Sequence, residues 1–232
     1  MSTQRTGNQL LDSLSKKDLG LLFPHLEGIS LAVRDPITAR AKAIDFVYFP
    51  TAGMVSMVAT LADGLQVEVG IVGSEGIVGG SVLMGTDTAS NEAFVQIAGS
   101  ALRLRSNILV RRAIESRSLR ERLLLFALAL TSQISQTAAC NARHNVVQRL
   151  ARWLLMAQER VQADDLPLTQ EFLAMMLGVR RAGVTVAAGT LQAARLIRYN
   201  HGRVVVLDRR GLEAAACECY RLGKKESARL LG

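Results

Sequence analysis

The sequence contains neither glycine nor proline from Ile108 to Val161, a stretch that is rich in leucine, alanine and arginine. Because both residues that commonly interrupt helices are missing over so many turns, this stretch predicts long helices. Before Ser106 the pattern is different. "FVYFP", "MVSMVAT", "LQVEVGIVG" and "FVQIAGSALRL" are short segments rich in valine and isoleucine, with glycine-containing turns between them. The chain is therefore expected to have a β-sandwich or β-barrel followed by helices.

Residues 123–130, "LLLFALAL", are apolar around the whole circumference of the predicted long helix of about 107–140. A helix without a polar face must be covered on both sides. We expect the β domain to cover one side and the same helix of a second subunit to cover the other, which predicts a homodimer. A helix buried inside a monomer is the alternative. Domains are predicted at 1–140 and 141–232.

Positive charge is concentrated in the second of these regions. Residues 1–140 hold 13 Lys and Arg against 12 Asp and Glu, whereas residues 141–232 hold 15 against 8. The second region thus carries +7 of the net charge of +8. Such an asymmetry favours a polyanionic partner, and nucleic acid before a membrane surface.

Other sequence features favour a cytoplasmic protein. Three cysteines late in the chain do not make a disulfide framework. The N-terminal residues 1–20 are polar and lack the apolar core of a signal peptide. The run at 123–130 is too short to span a bilayer, so no membrane association is expected.

The segment that follows Thr169 has the spacing of a helix-turn-helix. Thr169 is a good N-cap residue for the first helix. Counting from Gln170, the fifth residue is small, the ninth is glycine, and the fourth, eighth, tenth, fifteenth and eighteenth are apolar. These residues are Ala174, Gly178, Leu173, Leu177, Val179, Val184 and Ala187. The small residue lets two helices approach, the glycine accepts the turn and the apolar residues form a shared core.

The residues left outside that core suggest DNA recognition. Arg180 and Arg181 lie near the start of the second helix, where arginine can donate two hydrogen bonds to guanine in the major groove. "LIRYNHGRVVVLD" then predicts a β-hairpin wing, with a four-residue turn that contains Gly202 and with arginines that reach phosphates. The candidate DNA-binding residues are Thr169, Gln170, Arg180, Arg181, Thr185, Arg198 and Arg203.

With these motifs the chain resembles the Crp/Fnr superfamily of bacterial transcription regulators over essentially its whole length. "FVYFPTAGMVSMV", "VGSEGIVG", "QRLARWLLMAQERV" and "LTQEFLAMMLGVRRAGVT" are similar to one proteobacterial branch. The resemblance implies an α+β fold: an N-terminal cyclic-nucleotide-binding-like β jelly roll, a long dimerisation helix and a C-terminal winged helix-turn-helix. It also implies a palindromic operator in double-stranded DNA, and RNA polymerase is a further candidate partner.

Two departures from the family pattern accompany the resemblance. The three recognition contacts of the family, Arg, Glu and Arg, fall at Arg181, Ala182 and Val186, so the operator is expected to differ, with Arg180 and Thr185 as substitutes. Arg195 stands where the branch usually has glycine, at the end of the recognition helix. A strained or shifted entry into the wing is therefore expected.

The pocket that holds a cyclic nucleotide in this superfamily is degenerate here. The Gly-Glu pair that holds the ribose falls at Gly79 and Gly80, so the glycine is kept and the glutamate is lost. The Arg-Ser or Arg-Thr pair that holds the phosphate falls at Asn91 and Glu92, so both of its residues are replaced. A cyclic phosphate needs cationic or donor groups, and no Arg or Lys lies between Lys42 and Arg103. We expect no tight binding of cyclic AMP and no cofactor, and the effector is unknown.

The cysteines and histidines offer few candidate ligands for a metal. Cys217 and Cys219 with His201 suggest zinc, but a closed site needs four ligands, so no metal is expected and the thiols are read as ordinary. Cys140 is expected to be a small buried apolar residue rather than a redox switch. The sequence has no catalytic signature, so no enzyme is expected. Two functions remain: a DNA-binding regulator, or a small-molecule-binding regulatory protein whose β pocket is the functional part.

Overall fold

Most strands lie in the N-terminal part of the chain and most helices follow them, as the sequence predicts. The computed structural model describes residues 5–232, so the first four residues of the polar N-terminus lie outside the described residues. The first unit comprises residues 5–57, 71–131 and 229–232, and the second unit comprises residues 58–70 and 132–228. The predicted domain limits of 1–140 and 141–232 stay a prediction.

The N-terminal sheet is antiparallel, with strand order β1-β5-β3-β4 and with β2 also paired to β5. Its strands are β1 (Glu27–Leu31), β2 (Pro36–Thr38), β3 (Phe46–Thr60), β4 (Gln66–Val72) and β5 (Glu92–Arg105). The helices before and after it are α1 (Gln9–Asp12), α2 (Lys16–Leu22), α3 (Ser106–Glu115) and α4 (Arg117–Arg143), with 3-10 turns at Phe23–His25 and Gly80–Met84. The predicted mixed fold of sheet, long helix and C-terminal helices is confirmed.

One predicted turn is wrong. "FVYFP" and "MVSMVAT" were expected to be separate strands around Thr51–Gly53, but β3 runs through both. Gly53 has a φ of +80°, and a Cβ on it would lie 2.5 Å from the carbonyl oxygen of Ile97. A Cβ on Gly99 would clash with the carbonyl group of Ala52. These glycines therefore allow a close approach of β3 and β5 rather than ending a strand.

The predicted single helix of about 107–140 is interrupted at Ser116, which has an extended backbone. The Ser116 hydroxyl donates to a carboxylate oxygen of buried Asp18 at 2.5 Å, and Ser118 donates to the other oxygen at 2.7 Å. Ser15 also donates to this carboxylate, at 2.8 Å. A buried carboxylate in α2 thus holds the junction between α3 and α4.

The apolar run in α4 is only partly covered within the chain. Leu123 and Phe126 are buried in the core of the first unit, together with Phe49 and Leu109. Leu128, however, is 49% exposed. The expectation that one side of this run is covered by the same chain agrees with the structure, and its other side remains exposed.

The second unit is mostly helical. Its helices are α5 (Val146–Val161), α6 (Gln170–Leu177), α7 (Arg181–Ala193), α8 (Arg209–Ala215) and the start of α9 (Cys219–Leu231). Its strands are β6 (Asp165–Pro167), β7 (Ile197–Asn200) and β8 (Arg203–Val206), in the order β6-β8-β7. Asn145 and Gln148 form a capping box at the start of α5, whose buried face includes Leu150 and Leu154.

By length and composition alone, α4 is apolar enough to cross a membrane, and so is the bent pair of α6 and α7 taken together. The uninterrupted apolar run at 123–130 is too short to span a bilayer, as expected, but the helix that contains it, α4, has 27 residues. Core helices of soluble proteins meet the same criteria. These features are weak evidence for a membrane span.

Candidate nucleic-acid interface

Helices α6 and α7 have the geometry of the predicted helix-turn-helix. The Thr169 side chain accepts a hydrogen bond from the Phe172 amide at 3.2 Å, so it caps α6 as predicted. Gly178 ends α6 in a left-handed conformation with φ of 59°, and its N–H donates to the carbonyls of Ala174 and Met175. The chain bends by 102° between the two helices. This bend lies within the range of helix-turn-helix motifs.

The predicted core of the motif is present. Leu173, Leu177, Val184 and Ala187 are buried, and Val179 is half-buried. The spacing of these residues predicts their burial, because both helices must turn one apolar face toward the same small core.

A buried arginine that the sequence analysis did not single out supports the turn. Arg149, on α5, is 9% exposed, and its Nη2 donates to the carbonyl of Leu177, the last residue of α6. Burial lowers the pKa of this guanidinium. In the sequence Arg149 is one charged residue on an amphipathic helix, so its inward direction had no local signal.

The outward face of α7 carries the candidate base contacts. Arg180 immediately precedes the helix, Arg181 is its first residue, and Thr185 lies one turn further on; all three are exposed. Val186 is also exposed, at 70%. This face therefore presents both hydrogen-bond donors and an apolar group to the surroundings.

One contact connects the starts of the two helices. The Nε of Arg181 donates to the side-chain oxygen of Gln170 at 2.9 Å. The Thr185 hydroxyl donates to the backbone carbonyl of Arg181 at 3.2 Å. Two predicted DNA-binding residues, Gln170 and Arg181, are thus adjacent in the structure.

The wing differs from its predicted form in two ways. The turn between β7 and β8 has two residues rather than four: His201 with φ of 45° and Gly202 with φ of 73°. Two positive φ angles are those of a type I′ turn, which matches the twist of a tight hairpin. In addition, a third strand, β6 (Asp165–Pro167), pairs with β8. The wing is therefore a three-stranded sheet.

Arg203 lies at the start of β8 and is paired with a carboxylate. Its Nη2 is 2.8 Å and its Nε 3.1 Å from the two carboxylate oxygens of Asp165 on β6. These hydrogen bonds lower the pKa of Asp165 and raise that of Arg203. Arg198, on β7, is exposed and adds to the lowering at Asp165. The two wing arginines thus share one acidic neighbour.

The expected departure at Arg195 has a clear geometry. Arg195 follows α7 with φ of 57°, a left-handed conformation that glycine adopts more readily. Its N–H donates to the carbonyl of Gln192 at 2.9 Å. The strained entry into the wing is confirmed.

The degenerate pocket positions lie at two places in the first unit. Gly79 has φ of 84° and precedes the 3-10 turn that begins with Gly80. Glu92 is the first residue of β5 and Asn91 immediately precedes it; the Asn91 carbonyl accepts a hydrogen bond from the Thr38 hydroxyl at 3.2 Å.

Residues 148–215 match the family model described as the Crp-like helix-turn-helix domain. No curated protein matches the chain significantly. The structure of FixK2 from Bradyrhizobium japonicum has a TM-score of 0.72 at 17% identity, over 83% of this chain and 98% of that one.

Two further solved structures have the same fold. The c-di-GMP-responsive global regulator CLP of Xanthomonas campestris has a TM-score of 0.68 at 17% identity, over 83% of this chain and 99% of that one. TTHA1359, a Crp/Fnr-family transcriptional regulator of Thermus thermophilus, has a TM-score of 0.67 at 22% identity, over 82% of this chain and 98% of that one.

The matched segment contains α6, α7 and the wing, and the chain shares the fold of these solved structures over 82–83% of its length. Residues 148–215 therefore contain a Crp-like helix-turn-helix domain, and the chain has the fold of these solved regulators.

Proposed function

We propose that the protein acts in the cytoplasm as a homodimer that reads a two-fold symmetric operator, with one copy of α7 in each half-site. The observation that carries this proposal is the exposed face of α7, where Arg180, Arg181, Thr185 and Val186 surround a helix start whose opposite face is buried. The helix is held by its core, so its outer residues are available for base edges. The relatives named as regulators support a role other than catalysis.

Each outward residue has a distinct role in this proposal. Arg180 and Arg181 donate to guanine O6 and N7, and the exposed Val186 contacts a thymine methyl group. Thr169 and Gln170 contact phosphate near the start of α6, where helix N-termini favour anions. Arg198 and Arg203 on the wing contact phosphates further along the backbone. Base contacts would then give sequence specificity, and wing contacts would fix the position of the protein along the DNA.

Exposed leucines on α4 support dimerisation. Leu125 and Leu128 are 37% and 49% exposed, and residues three apart lie on one face of a helix. Pairing this face with its copy would remove both leucines from water. We infer that the two copies of α7 then lie about 34 Å apart, one turn of DNA.

We also propose that the sensor domain does not bind cyclic AMP. Residues 43–102 contain no Arg or Lys, and Glu92 stands where the family has a hydroxyl beside the phosphate. A carboxylate at that place repels a phosphate, and residues 43–102 supply no cation to offset the repulsion. Calorimetric titration with cyclic AMP is expected to show no saturable heat, and a tight one-to-one isotherm would contradict the proposal.

The proposed DNA recognition is tested by selection from random duplexes. The purified full chain is mixed with a pool of random double-stranded DNA at two salt concentrations, and the retained sequences are determined. Recovery of a two-fold symmetric site, with affinity that falls steeply as salt rises, is expected. Retention without sequence preference at both salt concentrations would overturn operator reading.

A further inference from the structure

All three cysteines of the chain come together with one of its three histidines in the second unit. Cys140, Cys217 and Cys219 are at most 4% exposed, and the side chain of His144 is 16% exposed. One ligand atom from each of these four residues lies within 4.8 Å of every other. The four residues are called the cysteine–histidine cluster below.

The fold brings the cysteine–histidine cluster together from two distant segments. Cys140 lies in the last turn of α4, and the N–H of His144 donates to the Cys140 carbonyl at 3.0 Å, so the two side chains share a helix face. Cys217 and Cys219 lie at the junction of α8 and α9, 77 residues after Cys140 in the case of Cys217. Two short pairs of residues thus meet in space. One pair is a Cys with a His four residues later, and the other is a Cys with a second Cys two residues later.

The distances in the cysteine–histidine cluster fit a single tetrahedral ion. The Sγ atoms of Cys140 and Cys217 are 3.4 Å apart, and the Sγ of Cys219 is 3.5 Å from Nδ1 of His144. Ligand sulfurs at about 2.3 Å from a tetrahedral zinc ion lie about 3.8 Å from each other. An iron–sulfur cluster would need wider spacing between its ligand sulfurs, because the cluster itself occupies the centre.

The surroundings orient the four ligand atoms. Nε2 of His144 lies 3.2 Å from the carboxylate of Glu218, so the ring can donate its proton there and turn Nδ1 toward the thiols. A carboxylate that holds the second ring nitrogen is typical of histidine ligands of zinc. The side-chain amide of Gln136 donates to Sγ of Cys219 at 3.0 Å, as expected beside a thiolate. Buried Arg152, on α5, adds positive charge near Cys140.

We propose that Cys140, His144, Cys217 and Cys219 bind one zinc ion in a closed, tetrahedral, structural site. Three thiols release their protons to solvent as the ion binds, and no oxidation is involved. Three thiolates and a neutral imidazole are a ligand set that zinc uses in structural sites.

This proposal replaces the sequence-based expectation of ordinary thiols and no metal. The four-ligand requirement that weighed against zinc is met by His144 and Cys140, and not by His201, which lies in the turn of the wing. The ion would tie the last turn of α4 to the α8–α9 junction. It would thereby stabilise the unit that carries the helix-turn-helix.

The first experiment measures metal in the full-length wild-type protein. After purification under reducing conditions, one zinc per chain is expected by elemental analysis. Replacement with Co²⁺ is expected to give strong thiolate-to-cobalt charge-transfer absorption and the visible bands of tetrahedral cobalt. Protein that binds neither ion after reconstitution would overturn the proposal, and so would a Cys140–Cys217 disulfide or bound iron with inorganic sulfide.

The second experiment compares matched variants. Cys219→Ser and His144→Gln are expected to lose the bound ion, while His25→Gln, which alters a histidine outside the cysteine–histidine cluster, keeps it. Glu218→Gln leaves all four ligands and changes an exposed side chain, so it should fold, and its zinc affinity is expected to fall about 10–100-fold. Unchanged cobalt spectra and zinc affinity in both His144→Gln and Glu218→Gln would contradict the assigned ligand set.

Discussion

At the scale of single residues, Arg181 and Arg203 are expected to contribute differently to DNA binding. Arg181 lies at the exposed start of α7, whereas Arg203 lies on the wing beside Asp165. Arg181→Ala should cost about 1–3 kcal/mol on the selected operator and relax one base position. Arg203→Ala should weaken binding to operator and random DNA alike. Fluorescence anisotropy with both duplexes measures the two effects.

The comparison between the two duplexes serves as the internal control for both variants. A base contact changes the ratio of specific to random affinity, whereas a phosphate contact leaves this ratio unchanged. An equal loss on operator and random DNA for Arg181→Ala would remove it from the set of base contacts.

The ion pair between Arg203 and Asp165 is expected to weaken DNA binding. In the free protein the guanidinium is held by the carboxylate at 2.8 Å, so a DNA phosphate must compete with it. Asp165→Asn removes the competing charge and should strengthen binding to all duplexes. The slope of log affinity against log salt should steepen by about one unit at most. Weaker binding by Asp165→Asn, in titrations over a salt series, would show that the pair instead holds Arg203 in its binding position.

Arg195 provides a prediction about stability. A left-handed conformation costs a non-glycine residue about 1–2 kcal/mol, and glycine avoids this cost. Glycine also makes the unfolded chain more flexible, which lowers the free energy of unfolding by about 0.4–1 kcal/mol. Arg195→Gly should therefore raise the free energy of unfolding by about 1 kcal/mol. Urea denaturation measures it, with Arg195→Ala as the control because alanine keeps the Cβ. An equal stabilisation by alanine would locate the effect in the lost charge.

The sequence predicted residues whose roles depend on local periodicity. The cap at Thr169, the turn at Gly178 and the buried face of α7 all follow from spacing within one short segment, whereas the unusual conformation of Arg195 was expected from the family resemblance. It did not predict the inward Arg149, the pairing of Arg203 with Asp165, or the meeting of Cys140 with Cys217. These contacts depend on which distant segments the fold brings together, and one sequence carries no such information.

At the scale of elements, the junction of α3 and α4 depends on a buried carboxylate. Burial would raise the pKa of Asp18, but hydrogen bonds from Ser116, Ser118 and Ser15 outweigh burial and hold it below its ordinary value of 3.8. Because the folded protein holds the charged form more firmly than the unfolded chain does, this interaction stabilises fully above that ordinary value. Its contribution is lost as pH falls through the lowered pKa of the folded state.

Asp18→Asn should consequently lower the stability of the protein at neutral pH by about 1.5–3 kcal/mol, as expected for lost hydrogen bonds to a charged group. The difference from wild type should shrink as the pH falls below 3.8. Urea unfolding over a pH series measures both effects, and Asp87→Asn, at an exposed position of the same unit, is the control. A stability difference that stays constant to low pH would mean that the charge of Asp18 is not its source.

The elements themselves were only partly predictable. Alternating valines and glycine turns indicated the sheet, but the break at Ser116 was missed because its cause, Asp18, lies 98 residues away in the sequence. The continuity of β3 through Gly53 was missed for a related reason. A glycine that allows two strands to approach cannot be told from a glycine in a turn until the second strand, with Gly99, is placed.

At the scale of the whole molecule, the excess positive charge fits the proposed binding to DNA, and the exposed apolar face of α4 fits the proposed dimer. The chain carries +8 overall, and the excess lies mainly in residues 141–232. In the proposed complex a monomer would contact one half-site, whereas a dimer would contact two. Joining two binding sites raises affinity about 100-fold or more without any new contact, provided that the geometry permits both to bind.

Leu128→Glu places a charge on the exposed face of α4 and should convert the proposed dimer to a monomer, because burying an unpaired carboxylate in an apolar interface is costly. Analytical ultracentrifugation should show half the mass of the wild type, and affinity for the full operator should fall about 100-fold or more while binding to an isolated half-site is kept. Ile114→Glu is the matched control, since Ile114 is 77% exposed but lies on α3 rather than α4. If Leu128→Glu stays dimeric, or if Ile114→Glu dissociates instead, the dimer interface is not the face that α4 exposes. If the monomeric Leu128→Glu variant bound the full operator as tightly as the wild type, the protein would not need two-fold symmetry to read that site.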